Sequence, residues 1–354
     1  MTPLAKILAR RIATTGPISI ADYMTECLLH PEHGYYTTRD PLGVAGDFTT
    51  APEISQMFGE LIGLSLAQSW LTQGRPDPFV LAELGPGRGT LMADALRATK
   101  AVEGFHDAAR LWLVEASPPL RDLQAGALAG HMPNWADHVS ELPDAPLFLI
   151  ANEFFDALPI RQFQRAETGW LERQVSTKGE SLALGLAPAA PLAQLQHRLE
   201  DTRPGDLVEI CPQAGTIIET VAARIADHGG AALIVDYGDW RSLGDTLQAI
   251  KDHQVIDPLV EPGACDLTAH VDFEVLAQAA KGVRFSRLTP QGVFLERLGI
   301  TQRAQKLAEN LGGSTLEDHI AAHRRLTHPQ EMGTLFKVLG LFPTGMSPPP
   351  GLDP

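Results

Sequence analysis

ELGPGRGTL, residues 83 to 91, is the stretch on which the reading of this chain turns. The apolar run FVLAEL leads into it and helix-forming residues follow, a strand–turn–helix context that turns glycine spacing into a site. Gly85, Gly87 and Gly89 allow a sharp turn and a close approach of backbone to ligand, Pro86 stiffens the turn, and the following helix offers unpaired amide donors. A dinucleotide fingerprint carries its third glycine one place later, where Thr90 stands, and rests a pyrophosphate on the helix start. An acid beside the glycines, Glu83, is unfavourable near a pyrophosphate but favourable near the ammonium and sulfonium of S-adenosyl-L-methionine. The segment therefore favours that methyl donor over NAD, with Glu83, Gly85, Gly87, Gly89 and Thr90 as cofactor-binding candidates.

Outward from this turn, LWLVEASP places Glu115 thirty positions beyond Gly85, at a strand tip where a carboxylate accepts both ribose hydroxyls. The spacing exceeds the roughly 20 residues of dinucleotide folds, and the surface loop KAVEGFHDAA accounts for the excess; a solvated strand-end acid is the plainer alternative. Together with PLFLIA and AALIVDY, these short apolar runs separated by helices predict a parallel sheet buried on both faces, with VRFSRLTP and MGTLFKVLGLF as later strands. Between PLFLIA and AALIVDY an alternating stretch predicts an antiparallel three-strand flap over 160–188, and helices are expected over 192–200 and 214–228.

Residues 1–78 read as a helical region: a first helix over 3–14, a second capped by Ser19, and a third over 53–72. That third helix sets Met57, Leu61, Leu64 and Gln68 on one face, while Gly59 and Gly63 permit close packing. The Gly- and aromatic-rich loop between the second and third helices holds Tyr36, Gly46, Asp47 and Phe48, a lid that closes on the cofactor and excludes water, or else a structural loop. The expected division is 1–78 helical with lid, 79–345 catalytic, and 346–354 a disordered tail.

Composition narrows the function. With 43 acids against 28 Lys plus Arg, the formal charge of -15 repels polyphosphate and favours basic partners, which argues against nucleic acid. No apolar run approaches the roughly 18 residues of a membrane span, so no membrane insertion is expected. Cys27, Cys211 and Cys265 are scattered without a CxxC, which fits a reducing compartment and neither a disulfide framework nor a thiolate metal cluster. His319, His323 and His328 lack an HExxH, so no metal is expected. The Arg-bearing start MTPLAKILARRIATT reads as a folded amphipathic helix in preference to a transit peptide.

The segments GDFTTAPEISQMFGE, ELGPGRGT, ANEFFDALPI, LIVDYG and GDTLQAIKDHQVIDPLVEPGACDLTAHVDF, in this order over nearly the whole chain, resemble the MidA-like methyltransferases. The resemblance implies an α/β fold with the seven-stranded Rossmann-like sheet of class I methyltransferases, a helical N-terminal addition and a β insertion. It implies S-adenosyl-L-methionine as cofactor and a protein arginine as substrate. In mitochondria the family includes the methyltransferase that assists respiratory complex I assembly by symmetrically dimethylating an arginine on one of its subunits. On this likeness the partner is a protein, a complex I subunit, and the location is the cytoplasm of a bacterium or the mitochondrial matrix of a eukaryote.

ANEFFDALP directly follows a strand, so Asn152 and Glu153 are expected at the carboxyl edge of the sheet, where the acceptor binds. An arginine guanidinium is planar, protonated and a poor nucleophile, and two carboxylates gripping its fork orient one nitrogen and offset charge on the others. Glu153 and Asp156 are the expected pair, although Asp156 would serve equally as the cap of a helix starting near 154. His270 in TAHVDF is similar to the histidine of the Thr-His-Trp loop in arginine methyltransferases and either strengthens that grip, passes a proton outward or bonds loop backbone. Two other functions stay open: an assembly module that keeps the cofactor pocket for stability, and a small-molecule methyltransferase whose loops choose another acceptor.

Overall fold

A single mixed sheet dominates the larger part of the molecule. In the computed structural model its main strands, apart from two strands of two residues each, are, in chain order, β1 (Phe79–Leu84), β2 (Ala109–Val114), β3 (Asn134–Ala136), β4 (Leu147–Asn152), β5 (Gly230–Asp239), β6 (Val283–Phe285) and β7 (Phe336–Pro343). They line up as β6-β7-β5-β4-β1-β2-β3. The strands β1 to β5 run parallel, while β7 lies antiparallel between β5 and β6. The expected seven-strand Rossmann-like α/β sheet is thus what forms. Chain order reverses at β1, which has β2 on one edge and β4 on the other, and such a switch point is where open α/β sheets bind ligands beyond their strand ends.

The structure describes residues 1–38, 49–251 and 254–354; Gly46, Asp47 and Phe48 of the expected lid lie outside them. Contacts divide the chain into two units: the larger comprises 49–155, 215–240 and 273–354, the smaller 1–48, 156–214 and 241–272. This departs from a boundary at 78. Residues 49–78 belong with the sheet because the Gln56–Thr72 helix is buried on most of its circumference in the core of the larger unit. Leu64 and Gln68, expected on one face with Met57 and Leu61, are exposed while those two are buried. The predicted third helix is also two helices, Ala51–Ile54 and Gln56–Thr72, because Ser55 turns extended and uses its hydroxyl to cap the second at the Met57 amide.

The tail is ordered, contrary to the expectation for 346–354. Leu352 is buried, Ser65 Oγ donates to the Pro350 carbonyl at 2.9 Å, and Asp353 pairs with Arg297 at 2.8 Å. A proline-rich composition argues against helix and strand, yet it does not prevent an extended segment from docking on a core.

In the smaller unit the alternating stretch forms the three antiparallel strands Arg161–Arg165, Trp170–Lys178 and Ser181–Leu186. They are more than a flap. Ile18–Ser19 and Leu207–Ile210 extend them to five strands, and the helices Pro3–Thr15 and Ile20–Leu29 supply a core of Leu4, Leu8, Tyr23, Met24 and Cys27. Among the described residues no helix is long and apolar enough to cross a membrane.

Close helix packing sets the depth of the glycine turn. Gly59 and Gly63 of the Gln56–Thr72 helix abut the Thr90–Thr99 helix, and a Cβ on Gly63 would lie 2.7 Å from the Ala95 Cα. Gly63→Val is expected to destabilise the chain by at least about 2 kcal/mol, since overpacking against backbone outweighs any helix propensity gained. Urea denaturation of the two proteins measures this, and equal midpoints would contradict it.

Candidate functional site

The site in the larger unit is built from three strand tips. After β1, Gly85, Gly87 and Gly89 all take positive φ (60°, 54° and 84°), the left-handed region that side chains resist. Gly85 N donates to the Val114 carbonyl at 3.0 Å, tying the turn to the end of β2, and a Cβ on Gly85 would meet the Phe154 ring at 2.9 Å. The turn therefore has no room for a side chain. Thr90 starts the following helix, and its hydroxyl donates to Glu53 Oε1 at 2.5 Å.

Glu83 points from β1 into the interior, 2% exposed, and among the described residues its Oε2 accepts no hydrogen bond. Burial without compensation disfavours the charged form and pushes its carboxyl from an ordinary 4.5 up to about 8. A buried carboxyl short of partners beside a glycine turn suits a ligand that brings positive charge, as the sulfonium and ammonium of S-adenosylmethionine do.

Glu115, at the end of β2, is buried and held by the Ser117 amide at 2.8 Å and Gln124 Nε2 at 3.1 Å. Burial raises its pKa, and those two donors oppose the rise. Gln124 also donates to the Gly87 carbonyl at 2.8 Å and accepts from Trp135 Nε1 at 2.8 Å. It fixes the distance between the glycine turn and the acid. Nothing in the sequence singled it out, because a glutamine inside a helix carries no spacing signal.

The tip of β4 carries Asn152 and Glu153. Glu153 takes φ 50°, costly for a residue with a side chain, and such strain persists only where surroundings over-determine it. The surroundings are visible: Glu153 N donates to the Val235 carbonyl at 2.9 Å, and Asp236 Oδ2 accepts the next two amides, Phe154 N at 3.2 Å and Phe155 N at 3.0 Å. Glu153 Oε1 accepts from Asn152 Nδ2 and from Ala51 N, each at 3.1 Å. Asp236 was passed over in the sequence, although an acid closing the run AALIVDY is the same kind of signal that marked Glu115.

Asp156, His270 and Tyr36 fall in the smaller unit. A turn, and no helix, follows β4, so the cap reading of Asp156 falls; its carbonyl accepts from Ala269 N at 3.0 Å. His270 N donates to Thr246 Oγ1 at 2.8 Å, and the Tyr36 hydroxyl donates to Asp266 Oδ1 at 2.8 Å. Burial, and then the Asp266 and Asp156 carboxylates, hold the Tyr36 phenol well above its ordinary pKa. The expected acid pair is thus divided between the units, Glu153 in the larger and Asp156 in the smaller.

With this geometry in place, comparison with known proteins decides the family. Residues 61–290 match a family described as putative S-adenosyl-L-methionine-dependent methyltransferase. The chain belongs to that family. Its cofactor is S-adenosyl-L-methionine, and the buried, unpartnered Glu83 oxygen beside three left-handed glycines fits a cationic nucleoside. The protein arginine methyltransferases NDUFAF7 of Rattus norvegicus and Homo sapiens, both named as mitochondrial, are each 38% identical to the chain over 97% of its length, covering 85% and 84% of theirs. A Burkholderia thailandensis protein crystallised with S-adenosyl-homocysteine superposes with a TM-score of 0.82 at 29% identity, covering 99% of this chain and 92% of that one.

Two outcomes follow for this family member. Between pH 4.5 and about 8 the folded Glu83 keeps a proton that the unfolded chain has released, so its contribution to stability falls as pH rises through that window. Urea midpoints over this range should therefore slope less downward in Glu83→Gln than in the parent, and parallel slopes would reject the buried neutral acid. Asp236→Ala leaves the Phe154 and Phe155 amides without their acceptor, a loss of about 1–3 kcal/mol set mainly by the buried Phe155 donor. Amide exchange at those two residues, together with the denaturation midpoint, reads that loss.

Proposed function

We propose that the chain methylates arginine side chains of a protein, with Glu153 receiving the guanidinium. One observation carries the reading: a carboxylate is forced into a left-handed conformation at the tip of β4, beside the switch point and the glycine turn, at an energetic cost that stability alone does not explain. The names of the relatives, protein arginine methyltransferase, support the choice of acceptor.

In this reading the Gly85, Gly87 and Gly89 turn and Thr90 cradle the cofactor, Glu83 balances its positive charge, and Glu115 accepts the ribose hydroxyls. When bound, the cofactor supplies a methyl group activated on sulfur. Glu153 holds the guanidinium fork, sets one nitrogen in line, and offsets the charge kept on the others; Asn152 fixes the Glu153 carboxylate through its amide. Transfer forms the nitrogen–methyl bond at the expense of the sulfur–methyl bond, leaving S-adenosylhomocysteine as the neutral thioether. That nitrogen loses a proton to solvent, and the methylated guanidinium remains a cation. The parts given to Asp156, His270 and Tyr36 rest on their places in the sequence.

The partner is a basic segment of a protein, consistent with the chain's charge of -15, and a respiratory complex I subunit is the first to test. The relatives' names point to mitochondria and give no support to a cytoplasmic location. We place the chain in the compartment that holds such a subunit before assembly.

Protein extract from cells lacking this chain serves as the acceptor pool, with labelled S-adenosylmethionine and acid hydrolysis to amino acids. Methylarginine is expected with the parent, at least ~100-fold less with Glu153→Gln, as when an electrostatic contact to the reacting group is removed, and none with Gly87→Val. Label on other residues, or none from a protein that binds S-adenosylhomocysteine, would sink the arginine reading.

A further inference from the structure

The segment Ala51–Ile54 is a single helical turn, too short to hold its own shape. Ser55, extended at φ -159°, breaks its continuity with the Gln56–Thr72 helix. Two carboxylates fix it instead, one reaching in and one reaching out. Glu153 Oε1 accepts from the Ala51 amide at 3.1 Å, and Glu53 Oε1 accepts from the Thr90 hydroxyl at 2.5 Å. Ala51 and Pro52 are buried, so the turn is anchored on its apolar side as well.

These bonds make one continuous path within the larger unit: glycine turn, Thr90, Glu53, Ala51, Glu153. The Glu53–Thr90 bond is charge-assisted, the stronger class of hydrogen bond, and it begins at the first residue of the helix behind the glycine turn. Ala51 offers Glu153 a backbone donor, which has no rotamer of its own. Its direction is set by how the turn sits, and the Glu53–Thr90 bond is one of the anchors that hold it, two residues away.

We propose that Glu53 is a positioning residue for methyl transfer: by accepting the Thr90 hydroxyl it holds the Ala51 amide on Glu153, and so ties the orientation of the acceptor-binding acid to the cofactor turn. The catalytic half of this proposal rests on the function proposed for Glu153; the mechanical link from Thr90 to Glu153 does not. Glu53 itself bonds Thr90. It acts through Ala51.

The test uses the full chain and four substitutions. Glu53→Ala and Thr90→Val break the bond from opposite ends, while Glu53→Gln keeps an acceptor and Thr90→Ser keeps the hydroxyl. Exchange of the Ala51 amide is read by NMR, and methylarginine formation with the extract described above is read at saturating S-adenosylmethionine. Glu53→Ala and Thr90→Val are each expected to speed Ala51 exchange and lower the maximal rate by at least ~10-fold, the effect of losing one charge-assisted hydrogen bond. Glu53→Gln should restore both to within ~3-fold of the parent, and Thr90→Ser should restore Ala51 exchange, since a hydroxyl–acceptor bond remains in each. In Glu53→Ala the maximal rate should fall by a larger factor than the affinity for S-adenosylhomocysteine, measured by calorimetry.

Unchanged Ala51 exchange in Glu53→Ala would overturn the link itself. A maximal rate unchanged at saturating S-adenosylmethionine in Glu53→Ala, with weaker affinity for S-adenosylhomocysteine, would overturn the positioning role, leaving Glu53 as a support of the pocket. A normal rate in Glu153→Gln, with faster Ala51 exchange in Glu53→Ala, would overturn the function of Glu153 and the catalytic role of Glu53 together.

Discussion

Strand β1 is hydrogen-bonded on both edges, to β2 and to β4, and every feature of the site in the larger unit depends on that double pairing. The register sets Glu83 beside Leu113 of β2 and Ile150 of β4, so the three strands end at nearly the same level. Their next residues, the glycine turn, Glu115 and the Asn152–Glu153 pair, consequently emerge side by side. A slip of one residue would send Glu83 to the opposite face of the sheet and withdraw the acid from the turn.

Once the tips are gathered, the unit spends polar groups to hold them. Gln124 joins the glycine turn to Glu115, and Asp236 takes the amides of Phe154 and Phe155. Each is buried with two or more hydrogen bonds, which makes its position exact to within a bond length and its removal expensive. Glu83 is the contrast. It is buried as deeply, yet among the described residues one oxygen is left without a donor, and burial pushes its carboxyl up to about 8. A fold that satisfies its other strand-tip acids and leaves this one short is prepared for a cation.

A second set of polar groups ties helices to one another. Glu60, buried in the Gln56–Thr72 helix, accepts two bonds from Arg303 at 2.7 and 3.0 Å and one from Arg97 at 3.0 Å. One carboxylate thus clamps the helix that carries Gly59 and Gly63 to the Thr90–Thr99 helix and to the Ile300–Ala308 helix. Losing both arginines would leave the buried Glu60 charge unpaired, so the clamp favours this arrangement over nearby alternatives.

The sequence by itself determined the apolar strands of the sheet other than the short β3, the glycine turn and the acids Glu83, Glu115 and Glu153, because these are local: apolar runs, left-handed positions and residues adjoining them are written in consecutive letters. Glu83, Glu115 and Glu153 were all legible in this way. Only the tertiary structure decided what those residues bond to. Gln124, Glu53 and the Ala51 amide reach the site from 9, 37 and 102 positions away from their partners, distances at which no periodicity survives. It also decided the division into units, since residues 1–38, 156–214 and the segment around His270 combine by burying apolar faces against each other, whatever their order along the chain. The ordered tail belongs to the same class: proline composition excludes regular structure, but whether Leu352 finds a hollow to fill depends on a core assembled elsewhere.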